Sequence, residues 1–270
     1  MLTPKLDPGT IEKIARAPFL MMVLDYDGTL TPIVKRPSLA RLDSRMRAVL
    51  GTLAGMRNVR IAIVSGRALS GLERLVGVKR VDYVGNHGLE RKIRGVHEID
   101  PCAIRVRGFV LKFEHDLKKA LKGIPGIFIE NKVYSLSVHY RNVPAALVNK
   151  ARRIFRKVWD DFSAQVYFHI RPGKKVWEVR PVQGCSDKGG AVRLLRYRVP
   201  REKRKRMMMV CVGDDKTDED AFAALRRSDI SIGVGGSVRH ARFRLRSPEE
   251  VLGVLQRIVA IRKKELGSHV

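Results

Sequence analysis

Asp25 and Asp27, followed by Gly28 and Thr29, stand directly after the apolar run 19–24. Residues two apart on a strand point the same way, so both carboxylates can project from one strand end into one site. That end is where open α/β sheets bind ligands. A bare Asp-x-Asp pair is common in solvated loops and calcium-type turns; the preceding strand and the Gly-Thr that follows set this pair apart. A second signal, Ser65-Gly66-Arg67, follows the apolar run 59–64, where a hydroxyl at a strand tip can donate to a phosphoryl oxygen. On its own, an ordinary turn or a helix N-cap at Ser65 accounts for it equally well. Lys188, in Asp187-Lys188-Gly189-Gly190, opens a helical stretch, so its charge adds to the positive end of a helix dipole and favours an anion. The fourth signal is acidic: Asp214, Asp215, Asp218 and Glu219 follow the apolar run 207–212. Asp214 and Asp215 precede the helix and offer hard oxygen ligands of the kind Mg²⁺ takes. Complementing a helix dipole is the plainer alternative for this cluster.

Short, mostly apolar runs at 19–24, 59–64, 81–84, 207–212 and 230–232, each bounded by polar or glycine residues, read as strands buried on both faces. Stretches at 43–54, 68–76, 188–197, 218–225 and 248–261 read as helices, with Ser247 and Pro248 suited to start the last. The alternation is that of an α/β fold, a mostly parallel sheet with helices on its faces. Segments 134–139 and 175–179 alternate instead, as half-exposed antiparallel strands do, and 106–121 and 145–162 have helical spacing. Residues 104–181 therefore read as a small α+β module inserted into a parallel-sheet domain made of 1–103 and 182–270. Gly233-Val234-Gly235-Gly236 lacks the GxGxxG spacing of a dinucleotide loop and reads as a turn.

The 270 residues carry 54 Lys and Arg against 27 Asp and Glu, a formal charge of +27, with 44% hydrophobic residues. That balance supports a folded core and excludes a chain dominated by disorder. The apolar run nearest the start falls short of the ~20 residues of a membrane span and of the ~7–15 of a signal-peptide core. Cys102, Cys185 and Cys211 show no CxxC spacing, which argues against a disulfide framework or a zinc site. A reducing, cytoplasmic setting is the expectation.

Taken in the order aspartate pair, serine, lysine, acidic cluster, these segments resemble the haloacid-dehalogenase superfamily of phosphotransferases. The resemblance implies a Rossmann-like parallel sheet core with an inserted cap domain. It implies Asp25 as the nucleophile that forms an aspartyl-phosphate and Asp27 as general acid and base. It further implies Mg²⁺ held by Asp25, the backbone carbonyl of Asp27 and Asp214, with Asp215 and Asp218 in support and Ser65 and Lys188 on the phosphoryl oxygens. The physical sense is charge: a phosphate monoester dianion repels a carboxylate until a metal and a lysine neutralise it.

The finer wording is similar to the trehalose-6-phosphate phosphatase family. The segments are Leu24-Asp25-Tyr26-Asp27-Gly28-Thr29-Leu30-Thr31-Pro32-Ile33, Gly85-Asn86-His87-Gly88-Leu89-Glu90, Glu130-Asn131-Lys132, Val138-His139-Tyr140-Arg141, Gly173-Lys174-Lys175-Val176-Trp177-Glu178-Val179-Arg180-Pro181 and Asp214-Asp215-Lys216-Thr217-Asp218-Glu219, with a C-terminal strand and helix over 234–251. The resemblance implies Mg²⁺-dependent hydrolysis of trehalose 6-phosphate, with the inserted module as a cap that closes over the site. Glu130, Lys132, His139, Lys174 and Glu178 from the cap, with Arg67, Asn86 and His87 from the core, are the implied substrate-binding residues. His139 suits a half-buried strand histidine equally well, and Trp177 is expected to pack inside the cap.

Two other functions compete. One is a phosphatase of another sugar phosphate, of the sucrose phosphate or glycosyl-glycerate phosphate type. The other is a polyanion-binding protein on a retired hydrolase fold, motivated by basic runs such as 196–206, where seven of eleven residues are Lys or Arg. The intact acidic motifs and the lack of interleaved aromatics argue against the second. Weak polyanion binding through the basic surface, beside a sugar phosphate substrate, is the expectation for partners. The run 201–206 precedes the strand 207–212 and Asp214 follows it, so the run should lie at the sheet edge opposite the site.

Overall fold

A six-residue apolar run has no polar face to offer water, so β1 (Phe19–Leu24) has to be covered on both faces and both edges; every one of its residues is buried. The structure, a computed structural model, describes residues 3–34, 39–182 and 187–267. The chain divides into two compact units, Met1–Glu98 with Asp187–Val270, and Ile99–Ser186.

The first unit is built on an eight-stranded sheet. Its strands are β1, β2 (Val59–Val64), β3 (Asp82–Gly85), β4 (Glu90–Ile93), β5 (Val96–Ile99), β10 (Met207–Gly213), β11 (Ile230–Val234) and β12 (Phe243–Leu245), in the order β12-β11-β10-β1-β2-β3-β4-β5. Strands β12 to β3 in that order pair in parallel and β4 runs antiparallel to β3. Period-two alternation sends Leu20, Met22 and Leu24 into one core layer with residues of α1 (Pro8–Ala15), α2 (Ser44–Gly55), α3 (Leu69–Val76) and α9 (Pro248–Gly267). Phe19, Met21 and Val23 enter the other layer, against α6 (Lys188–Tyr197) and α8 (Lys216–Ala223). Truncating a side chain such as Leu20, wholly buried between strand and helices, is expected to cost about 2–5 kcal/mol. The chain leaves β1 for β2 on one side and returns as β10 on the other, which opens a crevice at the carboxyl ends of these three strands.

The second unit is a four-stranded antiparallel sheet in the order β6 (Phe128–Asn131), β7 (Leu136–His139), β9 (Val176–Pro181), β8 (Phe168–Gly173), with α4 (Pro101–Leu121) and α5 (Ala145–Asp160). Its core joins Val110, Phe113 and Leu117 of α4, Phe155 of α5 and the inward residues Leu136, Val138, Trp177 and Val179 of the strands. Trp177 stacks on Tyr140 and Phe155, with ring centroids 4.5 and 4.9 Å apart.

Boundaries differ from the sequence pattern where capping outranks hydropathy. Helix α4 starts at Pro101, ahead of 106, because Asp100 caps it through a bond from the Cys102 N–H and Pro101 fits the first turn. Helix α8 starts at Lys216, ahead of 218, because Asp215 is its N-cap. Cys102 and Cys211 are buried free thiols, and Cys185 lies outside the described residues. None of the described helices is long and apolar enough to cross a membrane.

Candidate active site

Asp25 is the first residue past β1, and its N–H donates to the Val212 carbonyl of β10 at 3.0 Å, which fixes its backbone at the sheet's crevice. One carboxylate oxygen, Oδ1, accepts from Lys188 Nζ at 2.6 Å. The other, Oδ2, is buried and accepts no hydrogen bond among the described residues. Lys188 is the first residue of α6, where Asp187 caps the helix by accepting from the Gly190 N–H. Only 4% of its surface is exposed, and its ammonium bridges Asp25 to Asp218 Oδ1 at 2.7 Å.

Asp218 sits at the third position of α8, so its Oδ2 reaches back to the N–H groups of Asp214 and Asp215, each at 3.1 Å. This reciprocal cap orders the acidic turn. Two glycines let the carboxylates approach: a Cβ on Gly213 would collide with Asp218, and one on Gly28, whose φ is +88°, would collide with the Asp214 carboxylate. One ligand oxygen from each of Asp25, Asp214 and Asp218 lies within 4.8 Å of the others, and all three residues are buried.

Burial drives the electrostatics. It raises the Asp25 carboxyl well above the ordinary range against the pull of Lys188, and Asp218, Asp214 and Asp215 add to the rise. Asp218 is pushed up to about 6 by burial, again against Lys188. Burial also opposes the charge on Lys188, but Asp218 and Asp25 outweigh it and hold the ammonium protonated. Asp215 goes the other way: burial raises it, yet Lys188 and the hydrogen bonds from Thr217 bring it down to about 2. Three buried carboxylates around one lysine, with an orphaned oxygen on Asp25, fit a hard divalent cation.

Asp27 lies beside this group but outside it. Arg67 clamps its carboxylate with two bonds, Nε to Oδ2 at 2.7 Å and Nη2 to Oδ1 at 2.6 Å, and the guanidinium lies over the Tyr26 ring. Arg67, expected among the substrate-binding residues, thus engages Asp27. Ser65 follows β2, where its Oγ accepts from the Arg67 N–H at 3.2 Å, a turn bond that leaves the hydroxyl proton for another acceptor. Asn86 and His87 follow β3 in left-handed backbone conformations, and Asn86 donates to Glu90 Oε2 at 2.9 Å. Glu90 also accepts from the Leu69 N–H at the start of α3, so it braces that loop. Asp215, expected near a metal, caps α8 and stays outside the three-carboxylate group.

In the second unit the register aligns Glu130, Ser137, Glu178 and Arg171 in one row across the four strands, on the face away from α4 and α5. Glu178 meets Lys132 and Ser137, each at 3.5 Å, and pairs with Arg180. His139 Nε2 lies 2.9 Å from Glu130 Oε2. Lys174 occupies the tight turn between β8 and β9, where its carbonyl accepts from Arg141 at 3.2 Å. Arg180 and His169, opposite each other on β9 and β8, were not singled out from sequence. Alternation along Val176–Pro181 already places Arg180 on the same face as Glu178.

A parallel sheet that gathers an aspartate, a lysine and a second acidic turn at its switch point is the core of a haloacid-dehalogenase-type phosphatase. Residues 23–247 match the trehalose-phosphatase family. Trehalose-phosphate phosphatase B of Arabidopsis thaliana is 32% identical over 96% of this chain and 71% of its own length. The C-terminal domain of Candida albicans trehalose-6-phosphate phosphatase superposes with a TM-score of 0.80 at 28% identity, over 96% of this chain and 98% of that one. The Aspergillus fumigatus trehalose-6-phosphate phosphatase superposes with a TM-score of 0.66, also at 28% identity, over 96% and 99%. The chain belongs to the trehalose-phosphatase family.

Proposed function

We propose that this protein is a Mg²⁺-dependent phosphatase that hydrolyses trehalose 6-phosphate to trehalose and phosphate through an aspartyl-phosphate on Asp25. The observation that carries the reading is the buried set of Asp25, Lys188, Asp218 and Asp214 at the tips of β1 and β10, in a chain of this family.

Asp25 attacks phosphorus through a carboxylate oxygen, and the bond from phosphorus to the sugar oxygen breaks. Asp27 gives its proton to that leaving oxygen. It then takes a proton from water, whose oxygen attacks the phosphorus of the aspartyl-phosphate; the acyl phosphate bond breaks, freeing Asp25 and inorganic phosphate. Arg67 donates to both oxygens of the Asp27 carboxylate in the structure, so one of these bonds has to open for Asp27 to carry that proton. Ser65 donates its hydroxyl proton to a phosphoryl oxygen, and Lys188, already held protonated by two carboxylates, supplies a fixed positive charge to the same group.

Asp25, Asp214 and the main-chain carbonyl of Asp27 would hold Mg²⁺. Asp218 supports it by fixing Lys188 and the acidic turn, and Asp215 supports it by capping α8. When bound, the ion neutralises phosphoryl charge that would otherwise repel the Asp25 carboxylate. Glu130, Lys132, His139, Lys174 and Glu178 hydrogen-bond the sugar hydroxyls, and Asn86 and His87 add contacts from the loop after β3.

Phosphate release across trehalose 6-phosphate, sucrose phosphate, glycosyl-glycerate phosphate and glucose 6-phosphate, with Mg²⁺ or with EDTA, tests the reading. Preference for trehalose 6-phosphate that vanishes in EDTA supports it. Preference for another ester moves the substrate, and turnover that persists in EDTA removes the metal.

A further inference from the structure

We propose that the outer face of α5 docks the phosphodiester backbone of double-stranded nucleic acid, a binding site separate from the phosphatase chemistry. Helical periodicity divides α5 sharply. Ala151 and Phe155 are buried in the core of the second unit, and Leu147, Val148, Ile154, Val158 and Trp159 pack half-buried beside them. The opposite arc exposes Lys150, Arg152, Arg153, Arg156 and Lys157. Among the described residues none of these five side chains makes a hydrogen bond, an ion pair or a ring contact. They form a positive face, with Asp160 as its acidic member at the C-terminal end of α5, on a chain of net charge +27.

The run 196–206 has more charges in sequence but fewer available ones. Arg196 is buried against Asp229 at 2.5 Å, and Arg198 pairs with Glu98 at 2.8 Å. In α7 (Arg201–Lys205), Lys203 lies over the Phe19 ring, Arg204 bonds the Tyr197 carbonyl, and Lys205 lies 3.8 Å from Glu202.

The chemistry of the α5 face selects the occupant. Three of its five cations are arginines, whose forked donors match phosphate oxygens. Lys150 and Lys157 are about 10 Å apart along the axis at 1.5 Å per residue, so the face can meet several phosphates, which recur on each strand about every 3.4 Å of duplex axis. No large apolar side chain on α5 is exposed. The face therefore has nothing to insert into a bilayer and no aromatic ring on which single-stranded bases could stack. A duplex backbone, read by charge without base recognition, is what remains.

The test is fluorescence anisotropy of the full chain with a labelled DNA duplex of arbitrary sequence, at salt concentrations from about 50 to 200 mM. Three variants are compared: wild type, Lys150→Gln/Arg153→Gln/Lys157→Gln, and the charge-matched control Lys203→Gln/Arg204→Gln/Lys205→Gln. Each phosphate contact contributes about 0.9 to the slope of log affinity against log salt, so the α5 variant should lose about 2.7 from the slope. Over the fourfold salt range, wild type should then lose about 40-fold more affinity than the α5 variant. The control should change the slope by less than half as much, and phosphatase activity should be retained in both variants. Absence of duplex binding overturns the proposal, as do an unchanged slope in the α5 variant and equal changes in the two triple variants. Tighter binding of wild type to anionic vesicles or to single-stranded DNA at the same salt also overturns it.

Discussion

Replacing Lys188 by Met removes the cation that, among the described residues, holds Asp25 and Asp218 in the buried site, at 2.6 and 2.7 Å. Both carboxylates are nearly inaccessible, with 6% and 3% exposure, so solvent cannot take over the role of the ammonium. Breaking a buried ion pair by removing one partner costs about 3–5 kcal/mol. For a domain of this size that is a fall in Tm of roughly 6–20 °C, at ~2–4 °C per kcal/mol. The penalty should depend on pH in a defined direction. Asp25 is already raised and Asp218 already pushed up to about 6 with Lys188 present; without it both rise further. Such groups bind more protons in the folded state than unfolded, so stability falls as pH rises through their folded values. The variant should therefore be weakest at neutral and alkaline pH and recover toward pH ~5. Denaturant unfolding in EDTA at both pH values measures this, and adding Mg²⁺ at neutral pH should return part of the loss. A cost below about 1 kcal/mol at neutral pH, or one that does not shrink in acid, would refute the idea that Lys188 is the charge partner of this cluster.

Other expectations follow from the same geometry. Lys174→Ala and Glu178→Ala should lower kcat/KM for trehalose 6-phosphate about 10- to 100-fold, the worth of a hydrogen bond to a charged group, while an aryl phosphate changes little; equal losses on both substrates would remove the sugar-binding role. Gly28→Ala should raise the Mg²⁺ concentration needed for half-maximal activity by about tenfold or more while the fold is kept, because the added Cβ displaces the Asp214 carboxylate; an unchanged Mg²⁺ titration would show that Asp214 is not a ligand. Burial, with Arg171 and Arg180 nearby, lowers the His169 value. The folded state therefore binds fewer protons there than the unfolded one, and stability should fall as pH drops below about 6.5. His169→Gln should flatten that acid limb in thermal melts, and an unaltered limb would assign it to other groups.

Legibility from sequence followed how local each cause is. The strands β1 and β10 are continuous apolar runs and β2 is broken only by Arg60, so their tips, and with them Asp25, Ser65 and Asp214, could be placed from the pattern alone. The hairpin of β4 and β5 could not. Its side chains are largely charged, and it is held by pairing to β3, by the turn at Arg94 and Gly95 with positive φ, and by ion pairs such as Arg91 to Glu98. Arg67 and Asp27 are forty positions apart, and their pairing exists only because β1 and β2 are neighbours. Arg196 read as part of a surface run because charge patterning cannot see Asp229, which the fold places beneath it. Arg180 stands two positions after Glu178 on β9, so alternation alone puts it on the same face, where the two side chains pair.

The most direct measurement mixes the protein with trehalose 6-phosphate and Mg²⁺, quenches in acid during turnover, and maps the phosphorylated peptide by mass spectrometry. One phosphoryl group on Asp25 is expected, absent in Asp25→Asn, which should fold normally and release no phosphate. Phosphate release by Asp25→Asn at a substantial fraction of the wild-type rate, or a phosphoryl group trapped on any other residue, would contradict it.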